Sequence, residues 1–201
     1  MGNLFQNDNT FFAGMGKIAD CVCLSILWVF FSLPLVTAGA ATTALYYTCN
    51  KALRERQGYI WRNFIDSFKS NFKQSTCVWV VMLLIFGVLL VDFNVLSQLI
   101  AGNNINLVFL DITVVFACVF LTWTLYIMAY IARFENRLKT ILKNTFFIMG
   151  MNLGWSFLVL IIALLGVVVM SIVPISIFVL PAVIMLSINL ILERVFGKYR
   201  S

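Results

Sequence analysis

Histidine is absent from this chain of 201 residues, and that omission removes several chemistries at once. Without an imidazole there is no Cys/His zinc site, no HExxH metal motif, and no Ser/His or Cys/His nucleophile pair. Charge is scarce too. Asp, Glu, Lys and Arg make up 11% of residues, against about a quarter in a soluble domain. With 62% of residues hydrophobic, a soluble fold cannot hide its apolar surface, and lipid must cover it. The length suits one compact helical bundle with no second domain. No CxxC pair occurs, and five cysteines are an odd number for a disulfide framework. Cys21, Cys23, Cys49, Cys77 and Cys118 read as small, reduced, buried side chains.

Further absences narrow the function. No P-loop is present. Asp20, Asp92, Asp111 and Glu193 fall near the ends of apolar segments, and no other carboxylate lies within one. Proton- or ion-coupled transport needs such groups deep in the spans, so a proton-driven pump is disfavoured. Every Lys is near a segment end, which leaves no Ser/Lys dyad. The chain is therefore expected not to be an enzyme, with no catalytic, cofactor-binding or metal-ligating residues. No cleavable signal peptide is evident, and the first apolar segment is expected to be retained as an anchor. Asn7 stands near where a myristoylation motif wants Ser or Thr.

What is present is a pattern of positive charge. The 14 Lys and Arg residues lie at Lys17, from Lys51 to Lys73, from Arg133 to Lys143, and from Arg194 to Arg200. The connections at 93–106 and 171–176 have none. All the cations can thus be placed on one face of a membrane, which is the positive-inside pattern. It predicts a multi-pass protein of a bacterial plasma membrane with a cytoplasmic C-terminus. The net charge of +6 hugs segment ends instead of forming a separate patch, so nucleic acid is not the expected partner. The lipid bilayer, with its anionic headgroups, is.

Six membrane segments are read at 18–33, 37–53, 76–96, 107–131, 147–170 and 174–192. The fold class is an all-α polytopic bundle of five to six transmembrane helices with amphipathic cytoplasmic helices, in a single domain. If 18–33 and 37–53 each cross, both termini are cytoplasmic; if they form one broken crossing, the N-terminus is outside. The segment 37–53 is rich in Gly, Ala and Thr, which predicts a helix packed inside the bundle. Phe11 and Phe12 suggest a short interfacial helix before the first span.

The amphipathic segments are 60–75 and 133–146. In the first, Ile60, Phe64, Phe68 and Phe72 recur every four residues, while Arg62, Asp66, Lys69 and Lys73 take the other face. In the second, Phe134, Leu138, Ile141 and Leu142 oppose Arg137, Lys139 and Lys143. These seven charged residues are the candidate contacts for a partner or for lipid. The runs 68–75 and 138–145 also resemble one another at an offset of 70 residues. Internal duplication explains this; so does convergence of two helices meeting the same interface.

The string Ser32-Leu33-Pro34-Leu35-Val36-Thr37-Ala38-Gly39-Ala40, then Ala44-Leu45-Tyr46, Gly58-Tyr59-Ile60 and Phe68-Lys69-x-Asn71-Phe72-Lys73-Gln74, resembles the YesL family. These are small predicted membrane proteins of Gram-positive bacteria, known as a domain of unknown function. The motif-bearing part covers 18–95. The resemblance implies a role near carbohydrate ABC importers and glycan-degrading enzymes, beside which such proteins are typically encoded. It brings no catalytic residues. On that basis the expected function is a non-catalytic accessory or assembly subunit of an oligosaccharide ABC uptake system, with permease or ATPase subunits as partners. The alternatives are a small facilitator or channel for an uncharged solute, lined by Thr37, Thr42, Thr43, Thr48, Asn50, Asn152, Ser187 and Asn189, or a membrane sensor of sugar availability.

Overall fold

The computed structural model describes residues 3–55, 59–101 and 107–199, with only the helical backbone given for 3–15, 101 and 107. Phe11 and Phe12 fall within the first helix, and the expected outer loop around Asn103–Asn106 lies outside the described residues. All regular elements among the described residues are helical.

Helix α1 (Asn3–Ser32) ends where proline forces an extended backbone, Pro34 having φ −74° and ψ 114°. The carbonyls freed at that end do not go unpaired. Thr37 Oγ1 donates to the Phe31 carbonyl at 2.6 Å and lies 2.9 Å from that of Pro34, so a side chain replaces the missing helical N–H groups. A single 3₁₀ turn, Leu35–Thr37, then leads into α2 (Ala38–Thr48).

Helix α2 is the inner element, as its small residues predict. Ala40, Ala41, Ala44 and Thr43 are fully buried. Its threonines satisfy their hydroxyls on its own backbone: Thr42, Thr43 and Thr48 donate to the carbonyls of Ala38, Gly39 and Ala44. Thr43 also shares a 2.9 Å hydrogen bond with Ser75, which joins α2 to α3 (Ile60–Ala101). Gly39 permits the closest approach between them. A Cβ there would meet Trp79 Cβ, and would stand 2.7 Å from Trp79 Cγ and 3.1 Å from the Ser75 carbonyl oxygen. The chain after α2 widens into a π-helical turn, Cys49–Arg54.

The segments 60–75 and 76–96 form one unbroken helix of 42 residues. Its first part buries the aromatic stripe: Phe64 has no exposed surface, and the Phe31 ring lies 5.5 Å from that of Phe64 and 4.8 Å from that of Phe68. α4 (Leu107–Arg133) follows. Within the expected segment 133–146, Phe134–Arg137 is not helical, and α5 (Leu138–Met151) begins after it. The expected span 147–170 is interrupted at Asn152, whose φ −124° and ψ 47° lie outside the helical region. α6 (Leu153–Ile172) starts there, and a 3₁₀ segment, Pro174–Phe178, connects it to α7 (Leu180–Gly197). The aligned runs 68–75 and 138–145 therefore both lead into apolar helix, but only the second is followed by a break.

Four helices among the described residues are long and apolar enough to cross a membrane: Ile60–Ile100, Val108–Arg133, Leu153–Ile172 and Leu180–Gly197. This is a helical membrane protein. Only 11%, 17% and 17% of the apolar windows of α3, α4 and α6 are buried, against 50% for α7. α7 is thus the most enclosed of the four, and the other three leave most of their apolar surface uncovered by the described residues.

The α2–α3 contact yields a direct test. Gly39→Ala should lower the thermal unfolding midpoint of the purified protein in detergent by several degrees, because overpacking against a residue's Cβ costs about 1–3 kcal/mol. Gly154→Ala, whose Cβ would find nothing within 4 Å, should leave the midpoint unchanged or slightly raised. Equal effects at both positions would remove the close approach as the cause.

Candidate functional site at the basic end

Where α4 and α7 end and the π-helical turn closes, the chain assembles an ion cluster around a buried carboxylate. Its centre is Glu193, whose side chain is 5% exposed. Arg133 Nη1 lies 3.0 Å from Glu193 Oε2, and Arg54 Nη1 lies 3.5 Å from the same oxygen. The other oxygen, Oε1, accepts a 3.2 Å hydrogen bond from the Tyr46 hydroxyl. Arg54 also donates to Asn50 Oδ1 at 3.2 Å. A carboxylate withdrawn from water is tolerated only with partners of this kind. Four side chains from α2, the π turn, α4 and α7 are thereby held together.

Sequence reasoning assigned Glu193 to a segment end as an interface residue and did not anticipate the cluster. Its partners are far away along the chain, and nothing in the local pattern around Glu193 points to them. The one available signal was composition: Glu193 is an acid beside Arg194 in an otherwise basic terminal region.

A polar cleft of about 690 Å³ opens beside the cluster, between the π turn, the first turns of α3 and the α4–α5 connection. A smaller hollow of about 360 Å³ adjoins it, and Tyr47, Lys51 and Arg133 line both. Lys51 Nζ donates to the Tyr47 hydroxyl at 3.1 Å and lies 5.3 Å from the centre of that ring. One wall is pinned by Gln74 Nε2, which donates to the Asn136 carbonyl at 2.8 Å. Tyr130 accepts hydrogen bonds from the amides of Asn136 and Asn144 at 3.3 and 3.1 Å. These bonds hold the non-helical 134–137 link in place.

The residues expected as partner or lipid contacts divide between cleft and open surface. Asp66 and Arg137 both line the cleft. Arg62 pairs with Asp66 at 3.7 Å, with both side chains well exposed. Lys69, Lys73, Lys139 and Lys143 are exposed and lie outside the cleft lining. The charged face of α3 is therefore presented outward while its aromatic face is spent on the core.

The hydroxyls and amides considered for a solute pathway mostly bond locally. Beyond the α2 threonines, Asn152 Nδ2 donates to the Ile148 carbonyl and Ser187 to that of Val183. Asn189 is fully buried, and neither its amide nitrogen nor its oxygen has a partner among the described residues. Among the described residues, no group of three Cys, Asp or Glu side chains comes together as a metal site would require.

Comparison with known proteins gives one match. The family described as "Protein of unknown function, DUF624" matches residues 21–93. No curated protein and no solved structure matches the chain.

Removing the central charge tests the cluster. Glu193→Gln should lose about 3 kcal/mol of stability, the scale for breaking a buried ion pair from one side, read as a lower midpoint in thermal or denaturant unfolding in detergent. Arg133→Gln should cost more than Arg54→Gln, since Arg133 is closer and its side chain is 26% exposed against 41%. The reverse order would show that the 3.0 Å contact is not the dominant one.

Proposed function

We propose, from the premise that the chain belongs through residues 21–93 to the DUF624 family of YesL-like small bacterial membrane proteins, that it is a non-catalytic accessory or assembly subunit of a carbohydrate ABC uptake system. In this reading the basic end faces the cytoplasm, the C-terminus lies there, and five to six helical segments cross the plasma membrane. The first turns of α3 and helix α5 then lie at the inner membrane surface. Their charged faces meet permease or ATPase subunits, with lipid headgroups around them.

The observation that carries the reading is the division of labour along the start of α3. Phe64 and Phe68 are packed against α1, so that helix is seated by its apolar face. Arg62, Asp66, Lys69 and Lys73 are left exposed, and among the described residues their one ion pair is the internal one between Arg62 and Asp66. A rigid, outward charged face suits electrostatic steering and registration of a partner. The ABC importer as partner rests on the family resemblance, not on a matched motif in this helix.

Purification from native membranes in mild detergent should recover importer permease or ATPase subunits with the protein. The double variant Lys69→Glu and Lys73→Glu should insert normally and lose that recovery; an undiminished pull-down would reject α3 as the docking face. A single cysteine placed at position 69 in a background without the native cysteines should resist an impermeant thiol reagent added to intact cells, and react once the cells are opened. Labelling from outside would overturn the orientation. Solute flux through liposomes that contain this protein alone would favour the facilitator reading instead.

A further inference from the structure

The polar cleft beside Glu193 shares Asp66 and Arg137 with the candidate docking contacts, but the rest of its lining is separate from them and its chemistry points to a ligand. Few parts of so apolar a protein gather hydrogen-bonding groups, yet Asn63, Ser67, Ser70, Asn71 and Gln74 all line this one hollow. They come from the first turns of α3, on a side distinct from the exposed lysines. Lys51 and Arg133 also line it, and the cleft shares both with its smaller neighbour.

Charge decides what kind of ligand. Arg133 meets Glu193 through Nη1, and a guanidinium has further N–H donors to offer. Lys51 has a neutral partner, Tyr47, and no carboxylate within ion-pair distance among the described residues. Arg137 adds a third cation to the lining. Of the acids, Asp66 is paired with Arg62, while Glu55 and Glu135 are exposed, as Arg137 is, so that solvent screens all three. The surplus is positive, and it rests on Lys51 and Arg133, which are half-buried.

We propose that this cleft is a binding site for a phosphate-type anion, in which Lys51 and Arg133 hold the anionic oxygens against the polar wall that α3 provides. The anion belongs either to a soluble phosphate ester or to a phospholipid headgroup. The site does not depend on the docking role, and either can fail without the other.

Thermal unfolding of the full chain provides the test, with inorganic phosphate as the aqueous probe against chloride at matched ionic strength. In discs of zwitterionic lipid, millimolar phosphate should raise the midpoint by several degrees. Lys51→Gln should abolish the rise and Lys51→Arg should keep it. Arg137→Gln, an exposed position, should weaken it and serves if Lys51→Gln does not fold. A second set of discs containing phosphatidic acid separates the sources. A Lys51-dependent rise with phosphate assigns a soluble ligand, and one seen only with the anionic lipid assigns a headgroup. No rise in either arm, or equal rises in the wild type and both Gln variants, overturns the site.

Discussion

A buried carboxylate must be compensated where it stands, and in this protein the compensation ties the bundle together. Glu193 draws Arg133 from the end of α4, Arg54 from the π turn and Tyr46 from α2 into contact with its two oxygens. Those helices have few other polar ties to one another at this end. Dispersion alone gives weak orientation between smooth apolar helices, since lipid competes for the same contacts. A charge cluster with fixed geometry supplies the direction that packing lacks. The π-helical turn belongs to the same arrangement: it ends at Arg54, the residue that reaches Glu193.

Away from that cluster, cohesion comes from close approach and aromatic filling. Gly39 and the alanines of α2 bring two backbones together, and Trp79 closes the gap while its indole N–H donates to the Leu35 carbonyl at 2.7 Å. The phenylalanines at the start of α3 complete the same layer against α1. This explains why so small a protein keeps an 11-residue helix at its centre. α2 is a spacer of the right width, and its threonines hide their own polarity by bonding one turn back.

The outer parts of α3, α4 and α6 are built differently. They are long, apolar and little buried, which suits a surface for lipid. Polar contacts there are sparse; the Thr113 hydroxyl donating to Asp92 at 2.8 Å is one. Polarity concentrates instead at the basic end, where the 134–137 link, the break at Asn152 and the cleft are found. Helix breaks expose backbone groups that need partners, and Asn136, Asn144 and Tyr130 are grouped where one such break occurs.

Much of this was legible in the chain. Runs of about 20 apolar residues announce membrane helices because a bilayer has that thickness, and the small residues of α2 announce an inner helix because only they allow close contact. The four-residue spacing of Ile60, Phe64, Phe68 and Phe72 marked a stripe whose Phe64 and Phe68 are used as a packing face. Helix breaks were harder to see: Asn152 carries no proline or glycine punctuation at its own position. The Glu193 cluster and the cleft were not legible from periodicity, and composition offered only an acid in a basic terminal region. Periodicity reports on neighbours three and four residues apart, whereas Arg54, Arg133 and Glu193 meet only because three helix ends converge. Composition and local spacing determined that the chain is a helical membrane protein with a basic end; tertiary structure decided which of those charges would be buried, paired or left free, because pairing depends on distance in space.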